Sequence, residues 1–310
     1  MQVQFQSTLA DRVDLTGRGL HSGTPGRISL LPAAPNTGIV FKLHGKKIPV
    51  GPAAVRNTDF ATVVGDTNGS KCSTVEHLMA ALSGLGIDNA TIEVEGDEIP
   101  AFDGSSASFV EAIDAVGVER QEAPRRYLKV LKPIKAENGN ATAELMPYDA
   151  GFRLEVEIEF DHAAIGRQRF AGMVTPDVFR DELSRARTFG FMRDVSKLWG
   201  AGLALGASLD NTICLADDRV LNPEGLRFAD EFVRHKALDA VGDLAMAGLP
   251  ILGRYRSFCG GHKLNAAIVA ALIADRSAWT VVEAEPVRAR QRGHAEIGAQ
   301  VAPAYRADLS

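Results

Sequence analysis

The sequence predicts an α+β fold built from two similar units of strands and helices. Strand-like and helix-like segments occur in comparable order in both halves of the chain, which favours two related units. A polar, proline-containing stretch between the halves suits a domain boundary. The 310 residues, 45% apolar and 24% charged, provide enough core-forming side chains for two globular domains.

The first half contains one strand pattern and two helix patterns. Residues 90–95 alternate between apolar and polar side chains, which is typical of a half-buried strand. Apolar residues recur at helical spacing over 75–85 and 106–116, so we predict a helix at each place. Gly86 directly follows the first of these patterns and supplies a stop signal.

Residues 119–126 are polar and include a proline, which makes them the best candidate for a linker. We therefore predict a first domain over residues 1–122 and a second domain over residues 127–310.

The second half repeats the strand and helix patterns on a larger scale. Residues 152–160 alternate strictly, which predicts a strand with one face exposed to water. Helices are predicted over residues 228–247 and 265–275. No convincing sequence repeat relates the two halves, so a duplication is only suggested.

Charge, cysteines and hydropathy exclude several classes of protein. A net charge of −5 disfavours a broad nucleic-acid surface. The start, residues 1–6, has no secretory signal pattern, and the apolar run 266–274 is about half of the ~20 residues that a membrane span needs. Cys72, Cys214 and Cys259 form no CxxC pair. We therefore expect a soluble protein of the cytoplasm that holds any metal through histidine and carboxylate. The sequence leaves the oligomeric state open, and a monomer is our expectation.

A candidate metal site lies in the predicted helix 228–247. His235 and Asp239 are four residues apart, so both side chains leave one face of the helix and can reach one ion. Asp243 extends this row by a turn, and Lys236 lies on the same side. A plain hydrogen bond between His235 and Asp239 remains an alternative, but the concentration of charges favours a site.

His77, in the first half, is the candidate for a third ligand. Hydrolytic zinc sites have three protein ligands and one open position, and zinc lowers the pKa of a bound water to about 7. Glu76, next to His77, is a candidate acceptor for the proton of that water. The alternative for Glu76 is a capping box with Ser73 at the start of the helix.

His262 follows two glycines just before the last predicted helix. Glycines let the backbone approach a ligand closely, and a histidine there suits a proton donor or an anion contact. The alternative is an ordinary histidine of a surface loop.

Seven motifs resemble the UDP-3-O-acyl-N-acetylglucosamine deacetylases, and the likeness runs from about Thr16 to beyond His262. They are GLHSG at 19–23, STVEHLMAAL at 73–82, GIDN at 86–89, EIPAFDGS at 98–105, SRARTFGFM at 184–192, DEFVRHKALD at 230–239 and GDL at 242–244.

The resemblance implies a β-α-α-β sandwich with the active site at the domain interface. It also implies hydrolysis of the N-acetyl group of UDP-3-O-acyl-N-acetylglucosamine to acetate, the committed step of lipid A biosynthesis. His77, His235 and Asp239 would bind Zn²⁺. This ligand set suits Fe²⁺ as well.

The same resemblance implies the catalytic roles. Glu76 would be the general base, and His262 the second acid/base group, oriented by Asp243. Thr188 would place its hydroxyl against the developing oxyanion. Whether one residue or two handle the protons stays open.

Substrate contacts are also implied by the resemblance. Lys236 would contact the charged part of the substrate, and Phe189 and Phe191 would flank the sugar. An insert at about 195–212 would line a passage for the acyl chain. The proposed lining residues are Leu198, Ala204, Ala207 and Ser208. A plain buried βαβ-like connection is the alternative for this insert.

Two other functions remain as competitors. Another zinc hydrolase, such as a peptidase, lacks support because no HExxH motif occurs. A nucleotide- or RNA-binding module on a similar fold is disfavoured by the acidic charge and by the lack of basic stripes with aromatics.

Overall fold

The computed structural model describes residues 5–284, and this part of the chain is a mixed α and β structure. The first four residues of the start segment and the last part of the predicted second domain lie outside it. The helices of the described part are α1 Glu76–Leu85, α2 Ala107–Val116, α3 Pro176–Val178, α4 Met192–Gly200, α5 Glu231–Leu244 and α6 His262–Ala274.

The strands belong to two main sheets and three smaller groups. In chain order they are β1 Phe5–Leu9, β2 Val13–Arg18, β3 Pro25–Pro32, β4 Ile39–Leu43, β5 Lys46–Pro49, β6 Val55–Asn57, β7 Val63–Gly65, β8 Lys71–Cys72, β9 Ala90–Glu95, β10 Val118–Pro124, β11 Arg126–Val130, β12 Ile134–Asn138, β13 Ala141–Met146, β14 Phe152–Phe160, β15 Gly166–Met173, β16 Phe189–Phe191, β17 Ile213–Leu215, β18 Ile251–Phe258 and β19 Trp279–Glu283.

The two main sheets have the same topology. The first has the order β2-β3-β9-β4-β5, and only its β9–β4 pair is parallel. The second contains the order β12-β13-β18-β14-β15, and within these five strands only the β18–β14 pair is parallel. Two more strands extend this sheet, since β11 pairs parallel with β18 and antiparallel with β19. In each unit one helix precedes the central strand and one follows it, namely α1 and α2 around β9, and α5 and α6 around β18. The prediction of two similar α+β units is confirmed.

Helices of the two units pack against each other between the sheets. α5 and α6 contact strands of the second sheet, α2 contacts β2 of the first, and α1 packs on α5. The α1–α5 approach is very close, because a Cβ added at Gly242 would lie 2.0 Å from the carbonyl oxygen of Glu76. The layers therefore follow the expected β-α-α-β order, with residues of α1 and α5 facing each other.

The predicted linker, residues 119–126, is mostly β-structure. β10 pairs antiparallel with β1, and β11 joins the second sheet. β10 is largely exposed, so it carries polar side chains and lacks the apolar alternation by which a strand is recognised. The stretch is thus strand rather than loop, and its role as the linker between two domains remains a prediction.

Helix boundaries differ from the prediction mainly at their ends. α1 agrees to within a residue, and Gly86 ends it in the left-handed conformation (φ 79°). α5 is shorter than the predicted 228–247, because the last three predicted residues form a 3₁₀ turn. Gly248, with φ 85°, ends this helical segment. α6 starts at His262, three residues before the predicted start.

The strand predicted over 152–160 is present as β14, but its outer face is not uniformly wet. The side chain of Glu155 is only 6% exposed, since arginines of β14 and of both neighbouring strands cover it. These ion-pair partners are Arg153, Arg169, Arg254 and Arg256. Ion pairing thus lets a polar residue at a solvent-side position be buried.

The described helices include none that is both long enough and apolar enough to cross a bilayer. All three cysteines are free thiols.

Candidate metal centre and active site

The three predicted metal ligands come together where α1 crosses α5. His77 is the second residue of α1, and His235 and Asp239 lie one turn apart on α5. One ligand atom from each residue lies within 4.8 Å of the others, and all three side chains are buried. The Nε2 atoms of His77 and His235 are 3.6 and 3.3 Å from Oδ1 of Asp239. Residues from the two halves of the chain therefore converge on one small volume.

The proton positions at this cluster favour a bound cation. Nδ1 of His235 lies 3.0 Å from the carbonyl oxygen of Ala186, and because a carbonyl only accepts, Nδ1 carries the proton. Nε2 therefore presents a lone pair to Oδ1 of Asp239, which is buried and has no hydrogen-bond partner. Buried polar atoms are normally paired, so an orphaned carboxylate oxygen facing an imidazole lone pair fits a metal ion. The simple hydrogen bond considered for this pair is wrong.

The charge states of these ligands are those that metal binding requires. Burial lowers the pKa of His235 to about 3, so its imidazole is neutral. Burial alone would raise the pKa of Asp239, but the neighbouring imidazoles and Lys236 hold it well below its usual value. Nζ of Lys236 lies 2.7 Å from Oδ2 of Asp239. A neutral histidine and an ionised carboxylate are the forms that ligate metals.

Glu76 is the first residue of α1 and is only 3% exposed. Its Oε2 accepts a hydrogen bond from the backbone N–H of Thr62 at 2.9 Å, and burial raises the pKa of its carboxyl group. The capping-box alternative is wrong, since the hydroxyl of Ser73 donates to the carbonyl of Asp97 and no side chain caps the helix. Glu76 is thus free to face the metal ligands.

His262 faces Glu76 across a narrow gap. Its Nε2 lies 3.8 Å from Oε1 of Glu76 and 3.9 Å from Oδ2 of Asp239, and its Nδ1 lies 2.9 Å from Oδ2 of Asp243. Burial lowers the pKa of His262, but the carboxylates of Asp243, Glu76 and Asp239 outweigh that effect and raise it to about 10. With a side chain only 11% exposed, it is not the surface-loop histidine that was the alternative.

Asp243 connects His262 to the protein interior. One of its oxygens, Oδ2, also accepts from the amide of Asn265 at 2.8 Å, while Oδ1 accepts from the hydroxyl of Thr62 at 2.6 Å. The carboxylate is therefore fully satisfied and fixes the imidazole ring of His262. The predicted row of charges on α5 is present, with Asp243 one turn beyond Asp239.

Thr62 is a site residue that sequence reasoning missed. It is 2% exposed, its N–H holds Glu76, and its hydroxyl holds Asp243. One residue of the first half thus fixes carboxylates from both halves. No local signal distinguishes this threonine, because both contacts depend on the packing of distant segments.

His21 is a second residue that was missed. Burial lowers the pKa of His21, whereas Glu98 opposes the shift, and His262 and His77 are close enough to affect it. The backbone N–H of Ala204 lies 3.4 Å from Nδ1 of His21. A histidine between glycines in the motif at 19–23 was the available signal, since glycines permit close backbone approach.

Thr188 lies two residues after Ala186, whose carbonyl binds His235. Its backbone is fixed from both sides, because its N–H donates to Gly104 at 2.8 Å and its carbonyl accepts from Ile213 at 2.8 Å. The side chain is half-buried. The oxyanion role of its hydroxyl stays a prediction.

The two predicted phenylalanines of β16 have different neighbours. The ring centroid of Phe189 is 6.3 Å from that of His235, and Nζ of Lys236 lies 5.6 Å from the Phe189 centroid. Phe189 and Lys236 are therefore next to the candidate metal ligand His235. Phe191 instead packs beside His162, with ring centroids 5.6 Å apart.

The insert at 195–212 belongs to a βαβ-like unit in which α4 connects the parallel strands β16 and β17. The alternative of a plain buried connection is therefore correct in its topology but not in its burial, since α4 contains no buried residue. Leu198 and Ala204 are half-buried, and Ala207 and Ser208 are exposed. Large apolar side chains also lie on its surface, namely Met192, Trp199, Leu205 and Leu209.

Comparison with known proteins extends the likeness to most of the chain. Residues 6–274 match the family model LpxC, described as UDP-3-O-acyl N-acetylglycosamine deacetylase. Proteins named UDP-3-O-acyl-N-acetylglucosamine deacetylase from Brucella melitensis biotype 2 (strain ATCC 23457), Brucella canis (strain ATCC 23365 / NCTC 10854 / RM-666) and Brucella abortus (strain 2308) are each 52% identical over 285 residues. The alignments cover 90% of this chain and 99% of each relative.

Proposed function

This chain belongs to the LpxC family of UDP-3-O-acyl N-acetylglycosamine deacetylases, and on that premise we propose how its residues perform the reaction. The chain is a deacetylase that removes the N-acetyl group of UDP-3-O-acyl-N-acetylglucosamine and releases acetate, a step of lipid A biosynthesis. The proposal concerns the metal, the proton transfers and the substrate contacts.

One observation carries the metal-dependent mechanism. Oδ1 of Asp239 is buried without a hydrogen-bond partner and faces Nε2 of His77 and of His235. His77, His235 and Asp239 would hold a divalent ion, which when bound would lower the pKa of a water molecule and polarise a carbonyl oxygen. We assign Zn²⁺ to this position, and Fe²⁺ is the other ion that imidazole and carboxylate ligands suit.

Two residues divide the proton transfers in our proposal. Glu76 accepts the proton of the attacking water, since its carboxylate faces the cluster and its pKa is raised by burial. The imidazolium of His262 donates a proton to the departing nitrogen, because an amine must leave protonated. The 3.8 Å gap between Nε2 of His262 and Oε1 of Glu76 supports separate roles for the two groups. Asp243 orients the imidazole ring of His262 and favours its protonated form.

The substrate contacts follow from what surrounds the cluster. We assign the hydroxyl of Thr188 to the oxyanion of the tetrahedral intermediate, an interaction that is often worth about 3–4 kcal/mol. Lys236 and Phe189, both beside His235, would contact the charged and sugar parts of the substrate. Phe191 would flank the sugar from farther along the same strand.

We assign the insert at 195–212 to the acyl chain. Its surface carries Leu198, Ala204 and Ala207, and the backbone N–H of Ala204 lies 3.4 Å from Nδ1 of His21. Exposed apolar side chains in this part of the molecule suit a fatty chain, because contiguous apolar surface marks binding sites. Ser208 would lie at the same passage.

Domain division, oligomeric state and location remain proposals. We propose that the active site lies at the interface of two domains, spanning 1–122 and 127–310. We further propose that the enzyme is a monomer and acts in the cytoplasm. The three free thiols support a reducing compartment.

The decisive experiment measures acetate release from acylated UDP-N-acetylglucosamine by the purified protein, with and without a chelator. We expect turnover that stops on metal removal and returns with Zn²⁺. A peptide substrate and a labelled RNA serve as controls. Turnover of the peptide, or tight salt-sensitive RNA binding without deacetylation, would contradict the proposal.

A further inference from the structure

Glu98 is a buried carboxylate that the reaction described above does not use. It is 3% exposed, and none of the ion pairs found in residues 5–284 includes it. A buried carboxylate needs hydrogen-bond donors. Glu98 has three, namely the N–H of His21 at 2.8 Å, the N–H of Ser22 at 2.8 Å and the hydroxyl of Thr74 at 2.9 Å.

The two backbone donors belong to a tight loop, residues 19–24, which we call the glycine loop. Its ends are joined, since the N–H of Gly19 donates to the carbonyl of Thr24 at 3.0 Å. A Cβ added at Gly19 would lie 2.1 Å from Oε2 of Glu98, so only glycine admits the carboxylate. Each carboxylate oxygen accepts from a different backbone N–H, which fixes the loop conformation.

The other side of the glycine loop holds the insert. The N–H of Leu205 donates to the carbonyl of His21 at 2.9 Å, and the N–H of Gly206 donates to the carbonyl of Leu20 at 3.0 Å. The contact is close, because a Cβ added at Gly206 would lie 2.1 Å from the carbonyl oxygen of Gly19. The insert is thereby attached to the loop that carries His21.

We propose that Glu98 is a positioning residue for acyl-chain binding: its carboxylate fixes the glycine loop, and the loop fixes residues 204–206 of the insert. The proposal rests on the proposed function, since the acyl role of the insert is part of it. Glu98 lies outside the metal cluster and acts on substrate only through this loop.

The substitution Glu98→Gln tests whether the Glu98 carboxylate fixes the glycine loop. A glutamine offers one carbonyl oxygen and one amide group, so it cannot accept from both backbone N–H groups, and one buried donor is left unpaired. We expect KM for the acylated substrate to rise about tenfold, kcat to stay within about threefold and the metal content to be unchanged. Asp97→Asn, an exposed neighbouring carboxylate (73% exposed side chain), is the matched control and should behave as wild type.

Two further comparisons separate positioning from general destabilisation. Gly206→Ala disrupts the same contact from the insert side, so the double variant Glu98→Gln/Gly206→Ala should be no worse than the more affected single variant. UDP-N-acetylglucosamine without the acyl chain should lose less than about threefold in kcat/KM. Equal losses on both sugars, or multiplying losses in the double variant, would overturn the proposal.

A measurement that does not depend on enzyme activity completes the test. Amide hydrogen exchange at Leu205 and Gly206 should be faster in Glu98→Gln than in Asp97→Asn. If Glu98→Gln changes neither the exchange at Leu205 and Gly206 nor KM, the positioning role of Glu98 is overturned and the proposed function is not. A wild-type protein that releases no acetate overturns the proposed function instead, and the exchange data still decide whether Glu98 holds the insert.

Discussion

Nε2 of His235 lies 3.3 Å from Oδ1 of Asp239, and the two atoms share no hydrogen. On the other side of the ring, the N–H at Nδ1 of His235 donates to the carbonyl of Ala186, so lone pairs of Nε2 and Oδ1 face each other in a buried space. This arrangement is unfavourable by itself and favourable around a cation. The close packing of α1 on α5 adds Nε2 of His77, 3.6 Å from the same oxygen, to this pair.

The first prediction concerns that close approach. Gly242→Ala places a methyl group 2.0 Å from the carbonyl oxygen of Glu76 and must push the helices apart. We expect a loss of stability of about 1–3 kcal/mol or more, with weaker metal binding. Gly200→Ala, where an added Cβ meets nothing within 4 Å, is the control. Thermal unfolding and metal titration measure both effects, and equal melting temperatures for the two variants would disprove the prediction.

Glu76→Gln should separate metal binding from catalysis. The amide keeps the size of the side chain but cannot take up the water proton, so turnover should fall roughly 10²–10⁴-fold. Metal content should not change, because Glu76 is not a ligand in our proposal. Steady-state kinetics with metal analysis decides this. Normal turnover by the variant would remove Glu76 from the mechanism.

Thr62→Val should slow the chemical step. Valine retains the backbone N–H to Glu76 but leaves Oδ1 of Asp243 without its hydroxyl donor. We expect kcat to fall about tenfold with little change in KM, the order expected for a lost hydrogen bond to a charged group. Thr62→Ser keeps the hydroxyl and should retain most activity. Serine and valine variants of equal activity would mean that the hydroxyl has no part in catalysis.

The pH profile tests the His262–Asp243 pair. Burial lowers the pKa of His262, and Asp243, first among the nearby carboxylates, raises it, with a net value of about 10. Because the proton donor is the charged form, kcat should decline as the pH rises through this pKa. Asp243→Asn removes the largest raising effect, so the decline should move to lower pH. The exposed Asp217→Asn is the control, and an unmoved alkaline limb in Asp243→Asn contradicts the assignment of His262 as the acid.

The sequence was sufficient to predict the elements with strong apolar periodicity and the two candidate ligands that lie on one helix. α1, β9 and β14 follow local apolar patterns, and the spacing of His235 and Asp239 alone places both on one face of α5. The strand β10 was not predicted because it is exposed and polar, so its sequence lacks the apolar alternation of a half-buried strand.

The remaining site residues depend on contacts between distant segments. Thr62 reaches Asp243 across 181 positions of the chain, and His21 reaches Ala204 across 183. No local pattern encodes such contacts. The capping box at Ser73 shows the converse, because a local motif was present while tertiary packing directed both side chains elsewhere.

Metal stoichiometry tests the central claim most directly. Wild-type protein stripped by a chelator and titrated with Zn²⁺ should bind one ion per chain, and acetate release should return in proportion. Asp239→Ala should bind far more weakly, beyond the roughly 10–100-fold lost when an outer partner is removed. Full deacetylation by the metal-free protein, or wild-type affinity in Asp239→Ala, would contradict the account.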